Sequence, residues 1–227
     1  MDGIQPAFLL ADSQPLFWDR DRSALGAALR LHSTRGSRAA YLGASNGDAP
    51  EFYEIFVAAM ERAGVRCHPL ISSSFTARDR AFLETSDVVV LAGGDPLAGW
   101  RVFENTGMAG VVVNRYREGA TLIGVSAGAA QLGTCVRSRV DADYCEWVPT
   151  FGLCPFIVDA HDESREWRDL TNAVVMLGGT TEAFGIPAGS GLVYDSARTV
   201  GALGKCIYRF SNCQTGVCRE IVLPDRR

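Results

Sequence analysis

The stretch TLIGVSAGAA, Thr121 to Ala130, decides how the rest of the chain is read. Its first five residues are apolar without alternation, the pattern of a parallel strand covered on both faces. Ser126 follows, and then the small residues Ala127, Gly128, Ala129 and Ala130, which open a helix. Gly124 to Gly128 is therefore a G-x-S-x-G sequence at a strand-to-helix junction. The physical reason for that pattern is crowding: a serine on so sharp a turn sits in strained backbone, and only small neighbours fit around it. The turn lifts the hydroxyl above the sheet edge and aims backbone N–H groups at whatever it attacks. The plainer alternative is a tight βα turn in which the serine caps the helix.

Working outward, Asp87 to Ala92 (DVVVLA) is a second continuous apolar run, ending in Gly93-Gly94-Asp95. Shorter strands are expected at 7–11, 38–44 and 66–71. Helices are expected over 20–31 and 50–64, and one carries Trp100, Phe103 and Met108. Further on, Phe156 to Asp159 reads as a strand leading to His161, residues 163–176 as a helix, and 182–187, 191–195, 198–203, 205–210 and 219–223 as short closing strands. Strands alternating with helices imply an α/β fold with a mostly parallel sheet flanked by helices, ending in short antiparallel C-terminal strands. Nothing reads as a linker or a repeat, so residues 1–227 are expected to form one domain. Ligands in such folds sit beyond the carboxyl ends of the strands, where both glycine-rich turns lie.

Composition removes several chemistries. The net charge of −4 leaves no basic field for nucleic acid. Lys205 is the only lysine, so there is no phosphate-binding G-x-x-x-x-G-K-[ST] loop, and a Schiff base could form there alone. Neither H-E-x-x-H nor paired C-x-x-C occurs, so no metal and no cofactor is expected. No apolar run approaches the ~20 residues that cross a bilayer. Residues 1–12 lack a basic start followed by a long apolar stretch. A cytoplasmic protein with free thiols is the expectation, including for Cys206, Cys213 and Cys218.

A serine nucleophile needs a base. Of three histidines, His32 falls at the end of a surface helix and His68 precedes Pro69, whereas His161 follows a strand and lies among Asp159, Asp162, Glu163 and Arg165. His161 is the candidate base. The orienting acid stays open among Asp141, Asp143, Asp159, Glu163, Glu182 and Asp195, since triads are defined by geometry and not by spacing. The Gly93-Gly94 turn can supply an oxyanion donor beside the Ala127 N–H; it also reads as an ordinary turn whose Asp95 caps the next helix.

Gly93-Gly94-Asp95, Gly124-Val125-Ser126-Ala127-Gly128-Ala129 and Asp159-x-His161-x-x-x-Arg165 together resemble the dipeptidase E and cyanophycinase family of serine peptidases, over residues 38 to 203. The resemblance implies a fold similar to class I glutamine amidotransferases, flavodoxin-like in its layering, with serine at the elbow. It implies Ser126 as nucleophile, His161 as base, and Gly94 and Ala127 as oxyanion donors. Dipeptidase E-like spacing of the third member falls nearest Asp141, with Asp143 beside it. The cyanophycinase-like acid belongs to a G-[IV]-D-E segment, and the matching Gly185-Ile186-Pro187-Ala188 has no carboxylate. The family acts beside acidic residues, which implies Arg165, Arg168 and Asp159 as substrate-binding positions. In the family's H-x-x-x-R-x-R pattern Trp167 stands where the second arginine is expected, and Ala160 replaces the glutamine that cyanophycinases carry.

The function expected is a serine peptidase acting on a short peptide with an acidic residue at the scissile bond. Its partners would be a small peptide and, in a homodimer, a second copy, with no nucleic acid and no membrane. Two other readings stand beside it: a glutamine amidotransferase-like subunit, and a binding protein with a silent pocket.

Overall fold

The computed structural model describes residues 4–18, 26–28, 37–139, 145–195, 197 and 199–224. Its centre is a seven-stranded sheet in the order β11-β10-β1-β5-β4-β2-β3. The strands are β1 (Ala7–Leu10), β2 (Ala39–Leu42), β3 (Leu70–Ile71), β4 (Val88–Leu91), β5 (Thr121–Val125), β10 (Gly191–Tyr194) and β11 (Val200–Leu203). β1, β5, β4, β2 and β3 run parallel, and β10 and β11 close the edge antiparallel. Every residue of β1, β2 and β4 is buried. Alternate residues serve opposite faces: Leu9, Leu42, Val89, Leu91 and Leu122 pack on one side, Phe8, Leu10, Tyr41, Val90 and Ile123 on the other. That two-sided burial is why these segments read as unbroken apolar runs.

Helix α1 (Pro50–Ala63) returns β2 to β3 and is closed by Gly64 in the left-handed conformation. A short helix absent from the sequence reading, α2 (Ala77–Leu83), starts with a capping box formed by Thr76 and Asp79. The expected helix after β4 is two helices, α3 (Pro96–Thr106) and α4 (Met108–Arg117). Gly107 between them has φ 75°, which ends the first and re-aims the chain. Of the expected helix at 20–31, residues 26–28 are described and are helical; His32 lies outside the described residues.

After β5 comes the short helix α5 (Ala127–Leu132), then a hairpin of β6 (Cys135–Arg139) and β7 (Cys145–Pro149) that was not expected from sequence. Asp141 and Asp143 fall between these strands and lie outside the described residues. The next strand, β8 (Ile157–Ala160), does not extend the central sheet as the sequence suggested. It starts a second, four-stranded sheet, β13-β12-β9-β8, with β9 (Glu182–Ile186), β12 (Ile207–Cys213) and β13 (Gly216–Val222). β8 and β9 are parallel and the other pairs antiparallel. Val158, Ala160, Phe184 and Ile186 bury one face of this sheet in the same core as Leu9, Leu91 and Leu122. The other face is covered by α6 (Arg168–Leu177) through Leu170, Ala173 and Val174.

The expected helix from residue 163 begins only at 168, because Glu166 and Trp167 both have positive φ (53° and 58°). Trp167 is buried, and its ring lies over β9 so closely that a Cβ on Gly185 would meet it at 2.6 Å. It is a core residue of the small sheet. Cys213 and Cys218 are joined by a disulfide across the β12–β13 hairpin, which corrects the expectation of free thiols there; Cys67, Cys135, Cys154 and Cys206 are free. Among the described residues no helix is long and apolar enough to cross a membrane.

Candidate active site

β5 ends at the carboxyl edge of the central sheet, and Ser126 turns the chain there with φ 49° and ψ −105°, backbone that an L-residue adopts only under constraint. The constraint is visible in the neighbours. A Cβ on Gly124 would lie 2.5 Å from the Gly128 carbonyl oxygen, and one on Gly128 would lie 2.3 Å from that of Leu91. Strand, turn and helix are packed backbone to backbone, so both glycines of the G-x-S-x-G sequence are required by space. Ser126 N–H donates to the Leu10 carbonyl at 2.8 Å, and Gly128 N–H to that of Ala92 at 3.1 Å, tying the turn to β1 and β4.

His161 directly follows β8 and also has positive φ (48°). Its N–H donates to the Ile186 carbonyl at 2.9 Å, holding it to the end of β9. From there its Nε2 lies 2.8 Å from Ser126 Oγ. Two sheets thus bring together residues 35 positions apart. Ser126 is half-buried and His161 exposed, as access for a substrate requires. Among the described residues no carboxylate hydrogen-bonds the other ring nitrogen.

The Gly93-Gly94 turn stands beside this pair: a Cβ on Gly93 would be 3.5 Å from that of Ser126. Gly94 has φ +132°, open only to glycine, and any Cβ on it would lie 2.0 Å from the Ser45 carbonyl oxygen. Asp95 also does what the plainer reading expected, accepting from the Leu97 and Ala98 N–H groups at 2.9 Å each. Gly94 and Ala127 N–H make no hydrogen bond among the described residues. The turns on either side of the serine thus each carry an uncommitted backbone donor.

The acids separate by position. Asp195 follows β10 at the far edge, because Tyr194 pairs with Ala7 at the start of β1 whereas Ser126 lies beyond its end. Thr199 hydrogen-bonds its carboxyl and holds it below the usual carboxylate range. Glu182 opens β9, at the opposite end from His161, and pairs with Arg209. Glu163 Oε1 accepts from Ala188 N–H at 2.6 Å. Asp159 pairs with Gly185 on the α6 side of β8. Burial pushes its carboxyl up to about 6; the Ala160 N–H at 2.9 Å opposes that rise, and the charges of Asp162 and Asp169 add to it.

Arg165 does not stand free. Its guanidinium pairs with Asp169 at 3.1 Å and Asp162 at 3.7 Å, and Asp169 also pairs with Arg137. Arg168 is exposed, with no ion pair among the described residues.

One support escaped the sequence reading. The β9–β10 turn is clamped by side chains from separate segments: Glu163 on Ala188 N–H, Asp12 on Gly189 N–H at 2.7 Å, and Lys205 Nζ on the Ala188 carbonyl at 3.0 Å. No local pattern announces such long-range bonds. Gln131 was also missed, although a lone amide in the run AGAAQL was a usable signal.

Comparison with known proteins decides the family. The model of peptidase family S51 matches residues 19–199. The chain belongs to peptidase family S51. Among solved structures it is similar to a peptidase from an acI-B1 actinobacterium, at TM-score 0.69 and 15% identity, covering 98% of this chain and 96% of that one. It is also similar to a putative peptidase E protein from Listeria monocytogenes EGD-e, at TM-score 0.64 and 16% identity, covering 88% and 98%. No curated protein sequence matches it. At such identities the structures speak for the fold, while the family match makes this chain a serine peptidase. The amidotransferase-like and silent-scaffold readings give way to it.

Proposed function

We propose that this S51 peptidase hydrolyses a short peptide beside an acidic residue, with Ser126 as nucleophile and His161 as general base. The observation that carries the reading is the 2.8 Å approach of Ser126 Oγ to His161 Nε2, made from a serine held in strained backbone. As Oγ bonds to the scissile carbonyl carbon, Nε2 takes its proton. The carbonyl oxygen gains negative charge and is met by the N–H groups of Gly94 and Ala127. On collapse the C–N bond breaks and the imidazolium returns the proton to the leaving amine. Water then repeats the cycle on the acyl-enzyme and releases Ser126. Asp141, named from family spacing, is our candidate to orient the imidazole. Of the other acids, Glu163, Glu182 and Asp195 are engaged elsewhere, which supports that choice.

For the acidic group of the substrate, Arg168 is exposed and makes no ion pair among the described residues, whereas Arg165 is shared with two carboxylates. Guanidinium suits the role because its planar fork can hold two carboxylate oxygens. The test is turnover of a dipeptide panel with and without acidic residues. Ser126→Ala and His161→Ala should each abolish cleavage and, for Ser126→Ala, labelling by a fluorophosphonate. Arg168→Ala should raise KM for acidic members only. Retained turnover in Ser126→Ala would refute the nucleophile.

A further inference from the structure

Behind the Gly93-Gly94-Asp95 turn lies a buried polar network that the chemistry above does not use. Gln131, on α5 and five residues after Ser126, has 0% of its surface exposed, and Ser45 has 4%. Gln131 Nε2 donates to the Pro96 carbonyl at 2.7 Å and to Ser45 Oγ at 3.1 Å. Ser45 Oγ lies 3.4 Å from Gln131 Oε1 and can donate to it. Burying an amide and a hydroxyl is costly unless they are bonded, and the rest of α5 is small or apolar. An apolar side chain at 131 would have filled the space without that demand.

The bonds converge on the residues around Gly94. Asp95 N–H donates to the Ser45 carbonyl at 2.7 Å. The same carbonyl presses on Gly94, and Ser45 Oγ and Gln131 Nε2 press on Gly99, where a Cβ would meet them at 2.2 and 2.8 Å. Asp95 and Pro96, the two residues that follow Gly94, are thus fastened to Ser45 and to Gln131. Gln131 in turn sits on the helix that begins at the nucleophile.

We infer that Ser45 and Gln131 are positioning residues that hold the Gly94 N–H in aim at the developing oxyanion, an inference that rests on Ser126 being the nucleophile. A donor of this kind acts only when aimed at the tetrahedral oxygen, and misplacement by about 1 Å can cost ~100-fold in rate. Releasing Pro96 from Gln131, and Gln131 from the Ser45 hydroxyl, lets the turn relax, and the loss falls on the transition state more than on the bound substrate.

The experiment compares Gln131→Met, Ser45→Ala and the double variant on a dipeptide that the wild type cleaves. Two inhibitors of matching sequence serve as probes: a peptide aldehyde, whose hemiacetal oxygen takes the oxyanion position, and a reduced-bond analogue with no carbonyl oxygen there. End-point fluorophosphonate labelling counts competent sites, so that any loss of folded protein is divided out. Gln131→Met should lower kcat about 10- to 100-fold and Ser45→Ala about 5-fold, with KM within about twofold. The aldehyde should weaken in proportion to kcat and the reduced-bond analogue by less than about twofold, while the double variant is no worse than Gln131→Met. If Gln131→Met does not fold, Ser45→Ala and the two probes decide alone. A kcat per labelled site within twofold of wild type, or equal weakening of both probes, overturns the inference. Turnover surviving in Ser126→Ala would instead overturn the nucleophile reading beneath it.

Discussion

The two halves of the site are built by different means. Ser126 is held by backbone: Gly124, Gly128 and Gly94 bring main chains so close that no Cβ fits, and the turn is tied to β1 and β4 by its own N–H groups. His161 is held by a small second sheet and by side chains. The Ile186 carbonyl fixes its N–H, and Glu163, Asp12 and Lys205 clamp the adjoining β9–β10 turn. A backbone-packed element tolerates almost no substitution and leaves a local signature in glycines. A side-chain clamp spreads its cost over distant residues and leaves none.

The largest effect should come from the proposed nucleophile. Ser126→Ala should cut kcat/KM by at least ~10⁴-fold with little change in thermal unfolding, read by dipeptide hydrolysis and circular dichroism. The backbone half breaks next. Gly128→Ala drives a Cβ to 2.3 Å from the Leu91 carbonyl oxygen, and should cost about 3 kcal/mol in urea unfolding, with activity falling alongside. The clamp should yield more gently. Glu163→Ala should lower kcat about 10-fold, and Glu163→Gln, whose amide oxygen still accepts from Ala188 N–H, should restore most of it. If Glu163→Ala proves as damaging as Gly128→Ala, the contrast between the halves fails.

The finest test uses Asp159, on the side-chain half. Its carboxyl is pushed up to about 6 by burial, against about 3.9 in an unfolded chain. Between those values the native state binds more protons than the unfolded state, so this group's contribution makes stability fall as pH rises through the window. Asp159→Asn keeps the acceptor for Ala160 N–H and removes the charge. It should be more stable than the wild type at pH 7 by about 1–3 kcal/mol, with the gap closing as pH falls from 6 to 4. An unchanged gap across that range would show that Asp159 is not strained by its burial.

That same division explains what the sequence could reveal. The apolar runs of β4 and β5, the strained turn at Ser126 and the position of His161 just after a strand were legible because each depends on neighbours in sequence. The allocation of β8 and β9 to a second sheet was not, since a four- or five-residue apolar run does not say which strand it pairs with. Trp167 misled for a related reason. Spacing put it where an arginine was expected, while a positive φ and the bare face of Gly185 turn it into the core. Arg165 lies where spacing suggested, but its charge is spent on Asp162 and Asp169, partners three and four residues away on either side of the positive-φ turn at Glu166 and Trp167.

The 2.8 Å gap between Oγ and Nε2 is bridged from two separate sheets. It therefore works as a ruler laid across the interface between them. With Ser126 and His161 acting as proposed, turnover should report how well the sheets are docked, before either loses its own hydrogen bonds. In a denaturant titration hydrolysis should vanish ahead of the far-ultraviolet circular dichroism, and the interval between the two midpoints measures the slack in that docking.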